Sequence, residues 1–217
     1  MTTTRTSVPT PDPASHRCCT AIRRRTARSV HDWLTIAATT VWPNPTGITH
    51  PWRPSAPLTG ANRTGRPFTG DFAGDLLYAT LNEFGFAVGS YDKRADDSLA
   101  LVDCRITNAV RCVPPQNKPT GEEARNCRPF LVAELSENPK LRAVLALGRI
   151  AHDSVLTALN LRKKDHVFGH GAVSRLSGTL RLYDSYHCSR YNTNTRRLTP
   201  EMFAAVFARL RRDLDAA

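Results

Sequence analysis

The sequence predicts an α/β domain built around a mainly parallel sheet. Two stretches indicate strands, the mixed Ile106–Val110 and the mostly apolar Leu141–Leu147, and helical spacing of apolar residues follows each of them. A third short strand is predicted at Thr179–Tyr186, directly after Gly178. Strands that alternate with helices favour parallel pairing, with the helices packed on the sheet. Ligands of such folds bind beyond the carboxyl ends of the strands.

The first two helices are predicted from spacing and capping. Apolar residues recur at helical spacing before Gly85, which is a plausible stop, at Leu76, Leu77, Leu81 and Phe84. Pro114 and Pro115 must take the chain out of the sheet after the first predicted strand. Thr120 with Glu123 forms a capping box that opens a helix through Leu135.

The remaining helices follow the two later strands. A helix from about Arg149 to Leu159 is expected after Gly148. Thr199 and Pro200 supply an N-cap and a first helical residue. The apolar stripe of this last helix consists of Met202, Phe203, Val206, Phe207 and Leu210.

The composition favours a soluble protein with a polyanionic partner. The 217 residues suffice for one domain with a full core, or one domain with a tail, and no apolar run is long enough to span a bilayer. Lys and Arg number 30 against 19 Asp and Glu, a net charge of +11. This excess favours a polyanionic partner, because each neutralised phosphate releases counterions. A well-solvated basic surface is the equally weighted alternative.

The cysteines favour a reducing compartment. No signal peptide precedes them, so we expect a cytoplasmic protein. In that setting spaced cysteines indicate a metal, a cluster or core packing rather than disulfides. The six are Cys18, Cys19, Cys104, Cys112, Cys127 and Cys188.

Residues 1–60 differ in composition from residues 61–217. They contain all three Trp and eight of the fifteen Pro but no Lys and no Glu. Apart from a weak stretch around Val30–Val41, they show no hydrophobic periodicity. We expect an atypical, low-order N-terminal segment before a globular domain that begins at residue 61. An organelle transit peptide is a second interpretation of an Arg-rich, acid-poor stretch.

Two segments, residues 62–71 and 111–120, combine small, polar and basic residues. In residues 62–71, glycines flank Phe68, so backbone can approach a ligand while the ring offers a stacking face. Arg63 and Arg66 could contact phosphates, and Asp71 begins a helix, where an N-cap is its commoner role. In residues 111–120, prolines bracket Asn117, whose amide could read a base edge or simply shape a turn.

A third polar segment follows the last predicted strand. It places His187 at the strand end, followed by Ser189, Arg190 and Asn192. A lone His is more often structural than catalytic, but hydroxyls, amides and arginines beside it suit a DNA-backbone grip.

These three segments, in this order and spacing, resemble motifs of the uracil-DNA glycosylase superfamily, and most closely its family 5 (type B). Further similar stretches are Ile106–Phe130, Ala146–Ile150 and Phe168–Ala172, so the resemblance covers roughly Ala61–Leu210. It implies a three-layer α/β/α fold with a central, mainly parallel sheet.

The resemblance also implies a DNA-repair activity. The enzyme would flip uracil or another deaminated base, such as hypoxanthine or xanthine, out of DNA and hydrolyse its N-glycosidic bond. We expect it to act on the bacterial nucleoid as a monomer. In similar enzymes the first-motif aromatic, here Phe68, stacks on the base. The loop amide and the second-motif His, here Asn117 and His187, read its edge. The acid at the end of the first motif, here Asp71, acts on the sugar.

A [4Fe–4S] cluster held by four Cys is a further implication. Cys112 and Cys127 match the family's mid-chain pair. The N-terminal pair has no counterpart in spacing, since this chain offers only the adjacent Cys18 and Cys19.

The start of the chain departs from the family pattern. The first strand, an apolar run into a Gly-Leu-Ala-Pro segment, is not visible, and residues 1–60 have the Arg/Pro/Thr bias of a GC-rich gene read out of frame. We hypothesise a frameshift or mis-assigned start, with the true frame resuming near Ala56–Ala61. The upstream nucleotide sequence tests this. The competing interpretations are a catalytically impaired, DNA-binding family member and a general basic nucleic-acid protein.

Overall fold

A five-stranded sheet forms the middle of the molecule in this computed structural model. The structure describes residues 33–38, 68–70, 72–94, 96–109, 121–136 and 138–216. The strands of the sheet are Trp33–Ala38 (β1), Cys104–Asn108 (β4), Leu141–Leu147 (β5), Val173–Ser177 (β6) and Leu180–Ser185 (β7), and a separate antiparallel pair consists of Ala87–Val88 (β2) and Ala100–Leu101 (β3). The sheet order is β4-β1-β5-β7-β6, with every neighbouring pair parallel except β6 and β7.

Helices cover both faces of this sheet. They are Phe72–Glu83 (α1), Gly121–Ser136 (α2), Arg149–Ala158 (α3), Arg190–Asn194 (α4) and Pro200–Asp215 (α5). In β5, Leu145 joins a core with residues of α1 and α5, whereas the next residue on each side, Val144 and Ala146, joins a core with residues of α2 and α3. This alternation is the period-two pattern of a strand buried on both faces. The predicted three-layer α/β/α fold is confirmed.

The expectation that no core-forming strand precedes residue 61 is wrong. β1 lies between β4 and β5, pairs in parallel with both, and buries Ile36 completely. The weak apolar stretch near Val30–Val41 contained this strand. Its short length, with Thr35 inside it, hid the signal, because a central strand needs only a few apolar residues when both neighbours supply the hydrogen bonds.

The other predicted elements agree with the structure to within a few residues. Thr199 caps α5, its hydroxyl accepting the Met202 N–H at 3.2 Å. The strand predicted at Ile106–Val110 is observed at Cys104–Asn108, because its extent follows residue-by-residue pairing with β1. β6 was not predicted; it forms a hairpin with β7 across Gly178. No helix in the described ranges is long and apolar enough to cross a membrane.

Candidate active site at the carboxyl edge of the sheet

The four parallel strands end at the same level. Ala38 pairs with both Asn108 and Leu147, and Leu147 pairs with Ser185, so these four last residues form a row across the sheet. The segments that follow them therefore start at one edge. This is the edge where ligands bind in open α/β sheets.

Phe68 lies at this edge in a strained turn. Its φ of 61° is in the left-handed region, which costs a non-glycine residue about 1–3 kcal/mol. The Tyr91 hydroxyl donates to the Phe68 carbonyl at 3.1 Å and accepts the Gly70 N–H at 3.1 Å, so it holds both ends of the turn. The Phe68 side chain is fully buried.

The first turn of α1 packs directly against this strained turn. A Cβ placed on Gly74 would lie 1.8 Å from the Phe68 carbonyl oxygen. Only glycine allows the backbone of α1 to come this close. The position of Phe68 is therefore determined by contacts on two sides, from Tyr91 and from Gly74.

His187 is held beside Phe68 by the end of β7. The two ring centroids are 5.9 Å apart, with 39° between the ring planes. On the other side, a Cβ on Gly148 would lie 3.6 Å from the His187 Cβ, and Gly148 donates its N–H to the Ser185 carbonyl at 2.8 Å. The structure thus brings together two of the predicted site residues that are far apart in sequence.

The segment after His187 folds back to support it. Asn192 donates from Nδ2 to the His187 carbonyl at 2.8 Å. Ser189 caps α4, its hydroxyl accepting the Asn192 N–H at 3.4 Å. Arg190 is exposed, with its guanidinium 5.6 Å from the Phe72 ring centroid. Ser189 and Asn192, predicted as DNA contacts, therefore also shape the loop.

Several predicted site residues lie outside the described residues. These are Asp71, Asn117, Arg63, Arg66, Cys112, Cys18 and Cys19. Their predicted roles stay predictions.

The described residues do not assemble a cluster site. Of the predicted ligands only Cys127 is described; it lies in α2 and is buried. Within the described ranges no group of three or more His, Cys, Asp or Glu side chains could hold a metal, whereas a [4Fe–4S] cluster needs four ligands. Cys104 belongs to the apolar core, where burial, the dominant influence, raises the pKa of its thiol. The described part of the chain therefore does not by itself fit a cluster.

A buried ion pair lies behind His187 and was not predicted. His152 of α3 and Asp184 of β7 are each 1% exposed, with Nδ1 and Oδ1 2.8 Å apart. His152 Nε2 lies 2.9 Å from the His166 carbonyl, so both ring nitrogens face acceptors. The available signal was His152 itself, a polar residue on the otherwise apolar buried face of α3, since buried polar groups are almost always partnered.

The protonation of this pair follows from its surroundings. Burial, the largest influence, lowers the pKa of His152, but the hydrogen bond and charge of Asp184, with the His166 carbonyl, outweigh it and raise the pKa overall. Burial likewise raises the pKa of Asp184 against the opposing effects of His152, the Gly169 N–H and Arg149. Since both ring nitrogens of His152 face oxygen atoms, one hydrogen lies between Nδ1 and the Asp184 carboxylate, whichever of the two groups holds it.

His170 contacts Tyr186, the residue that precedes His187. Its Nδ1 accepts the Tyr186 N–H at 3.2 Å, and its ring stacks on the Tyr186 ring with centroids 5.1 Å apart. Burial, outweighing a hydrogen bond to the Met202 backbone, lowers the pKa of His170, so the imidazole is held neutral.

Comparisons with known proteins agree with this geometry. A family model described as the uracil DNA glycosylase superfamily matches residues 55–211. A type-5 uracil-DNA glycosylase of Thermus thermophilus is 48% identical over 153 residues, which cover 70% of this chain and 69% of that protein. A type-5 uracil-DNA glycosylase of Pyrobaculum aerophilum is 43% identical over 71% of this chain and 66% of its own length. One of Mycobacterium tuberculosis is 43% identical over 68% of this chain and 56% of its own length. The chain thus spans about two thirds or less of these relatives.

Proposed function

The chain belongs to the uracil-DNA glycosylase superfamily and is similar to its type-5 members, and on that premise we propose that it flips uracil, or another deaminated base, out of DNA and hydrolyses the N-glycosidic bond to leave an abasic site. The observation that carries the proposal is the placement of Phe68 and His187 together at the carboxyl edge of the sheet. This is an aromatic face beside a hydrogen-bonding group, as recognition of a flipped base requires.

The chemistry assigns different roles to the acid and the histidine. Breaking the bond leaves positive charge on the sugar and negative charge on the departing base. His187, donating to a carbonyl oxygen of the base, stabilises that anion in the manner of an oxyanion hole. The Asp71 carboxylate stabilises the sugar cation and takes a proton from the water whose oxygen bonds to C1′. The departing anion takes its proton from solvent.

A base can stack on Phe68 only if one face of the Phe68 ring is accessible, and in the structure that ring is covered. Phe68 is fully buried, so a base stacks on it only after the side chains over the ring move. We propose that this movement accompanies flipping, with the Asn117 amide then reading the edge of the base. Flipping costs least at a mismatch such as uracil opposite guanine, which favours damaged sites.

The DNA grip is proposed for the segment after His187 and for the arginines before Phe68. Arg63, Arg66, Arg190, Ser189 and Asn192 would contact phosphates. Tyr191 is 72% exposed, which suits insertion of the loop from Cys188 to Asn192 into the gap left by the flipped base. We propose a monomer that acts on cytoplasmic DNA without a membrane partner.

For the cofactor we propose Cys112 and Cys127 as two cluster ligands, with a structural role. No catalytic step passes through the cluster. Iron and acid-labile sulfide analysis of the purified protein, with Cys127→Ser alongside, tests this: absence of both elements from the unsubstituted protein overturns it.

Excision from a labelled duplex with one uracil opposite guanine, revealed as strand breakage after alkali, tests the function. We expect breakage by the unsubstituted chain and a loss of roughly a hundredfold or more in Asp71→Asn. Asp75→Asn is the matched control, because Asp75 is an acid four residues later in the sequence that pairs with Lys93 at 2.8 Å. This variant should stay close to the unsubstituted rate. No breakage by the unsubstituted chain contradicts the proposal, and an unimpaired Asp71→Asn removes Asp71 from the mechanism.

A further inference from the structure

We propose that His152 and Asp184 are positioning residues that hold His187 in its place beside Phe68. The proposal rests on the function given above, since it assigns His187 a role in base excision. Both side chains are 1% exposed and bonded to each other, so neither is proposed to touch the substrate.

The first connection runs along α3. The His152 N–H bonds the Gly148 carbonyl at 3.1 Å, which closes the first turn of α3. The His152 side chain forms a hydrogen bond with Asp184, which lies in β7 three residues before His187. The pair thus fastens α3 to β7 directly behind Gly148, whose backbone packs against the His187 Cβ.

The second connection runs through the loop at residues 166–172. His152 bonds the His166 carbonyl at the start of this loop, and the Gly169 N–H bonds the Asp184 carboxylate. The backbone of Asp184 bonds Ala172 and Gly171 at 3.0 and 2.8 Å. The loop is therefore attached to the pair at its beginning, middle and end.

The same loop carries His170, which holds the residue next to His187. His170 accepts the Tyr186 N–H and stacks on the Tyr186 ring. If the loop leaves β7, Tyr186 loses both contacts and His187 loses its rigid neighbour. A displacement of about 1 Å at a reacting group lowers rate by roughly a hundredfold. Removing the pair should therefore lower the catalytic rate.

The charges around the pair determine what a substitution does. Arg149 acts on Asp184, and Asp153, which itself pairs with Lys163 at 3.2 Å, acts on His152. The native pair keeps its hydrogen bonds whichever partner carries the shared proton. In Asp184→Asn the amide can donate to His152 Nδ1 and accept from Gly169, but only while His152 is neutral. Protonation of His152 would then bury a cation near Arg149 with no carboxylate beside it.

The test compares three variants in steady-state excision, which gives kcat and KM, in thermal unfolding and in nuclear magnetic resonance of the histidine rings. We expect Asp184→Leu to lower kcat by about tenfold to a hundredfold with little change in KM. Asp184→Asn should retain kcat at alkaline pH and lose it, relative to the unsubstituted protein, only well below the ordinary histidine value of about 6.5. The reason is that burial lowers the pKa of His152 once the Asp184 carboxylate no longer opposes it. The matched control is Tyr183→Phe, which removes a buried hydroxyl bound to Asp213 at 2.9 Å from the opposite face of the same strand. It should lower Tm and leave kcat unchanged.

Two results overturn the proposal. One is Asp184→Leu with the kcat of the unsubstituted protein and only a lower Tm, as for Tyr183→Phe. The other is Asp184→Asn with an unaltered pH profile, which decides the matter even where Asp184→Leu does not fold. If the unsubstituted protein excises nothing, the proposed function fails. The ring resonances of His187 then decide separately whether the pair positions His187: they should move in the Asp184 variants and stay unchanged in Tyr183→Phe.

Discussion

Gly74→Ala should damage both stability and activity, although alanine is the better helix former. Replacing glycine by alanine inside a helix ordinarily stabilises a protein by up to about 1 kcal/mol. Here the new Cβ would lie 1.8 Å from the Phe68 carbonyl oxygen and 2.8 Å from the Tyr91 hydroxyl oxygen, where real contacts stay above 3.0 Å. The carbonyl must therefore retreat by about 1.2 Å, or α1 must shift by as much.

The size of the effect follows from that displacement. Overpacking of this kind costs about 1–3 kcal/mol, which outweighs the gain in helix propensity, so Tm should fall by several degrees at about 2–4 °C per kcal/mol. The shifted carbonyl belongs to Phe68, so the stacking ring moves as well. A misplacement of about 1 Å lowers the excision rate by roughly a hundredfold.

The assay is single-turnover excision from the uracil–guanine duplex, with thermal unfolding of the same preparations. The matched control is Gly121→Ala at the start of α2, where the new Cβ would meet only Arg125 Nη1, at 4.0 Å. It should leave the excision rate unchanged and the Tm unchanged or slightly raised, because alanine is the better helix former. Gly74→Ala with the stability and rate of Gly121→Ala would refute the packing argument for Phe68.

Three further predictions concern the surroundings of His187. Asn192→Ala, which loses the hydrogen bond to the His187 carbonyl, should lower the excision rate about tenfold, whereas Asn194→Ala on the same helix should not. Equal rates for the two variants would show that Asn192 does not support His187. Arg190→Gln should reduce the slope of log affinity for duplex DNA against log salt by about 0.9, and the exposed Arg175→Gln of β6 should leave it unchanged; an unaltered slope for Arg190→Gln excludes a phosphate contact. Burial lowers the pKa of His170, so on acidification the unfolded chain protonates this imidazole before the folded chain does, and the free energy of unfolding should decline as pH falls below about 6.5. In urea titrations His170→Gln should weaken this decline, and a decline identical to that of the unsubstituted protein would exclude His170 as its cause.

The sequence predicted those parts of the fold that carry strong local signals. The run Leu141–Leu147, the cap at Thr199 and the stripe of α5 are readable because burial on two faces, capping and helical spacing each leave a mark on neighbouring residues. β1 was not recognised, since its strand character comes from the neighbours on either side of it. The proposed frame junction near Ala56–Ala61 lies outside the described residues and stays a hypothesis.

The candidate site was predictable in its chemistry but not in its support. Phe68 and His187 were identified from residue type and segment order, and the structure brings them together. Asp184 and His152 carried no motif, because a buried ion pair between a strand and a helix is visible only once the two elements are docked. Tyr91 was missed for the same reason, since its hydroxyl reaches the Phe68 turn from 23 residues away.

The most direct test of the site is the single-turnover rate of uracil release by His187→Ala, with affinity for the same uracil–guanine duplex measured separately. Loss of a donor that stabilises the departing anion lowers rate by about 10²–10³-fold. We therefore expect a loss of that size with DNA affinity nearly unchanged. A rate equal to that of the unsubstituted protein would contradict the assignment of His187 and of the carboxyl edge as the active site.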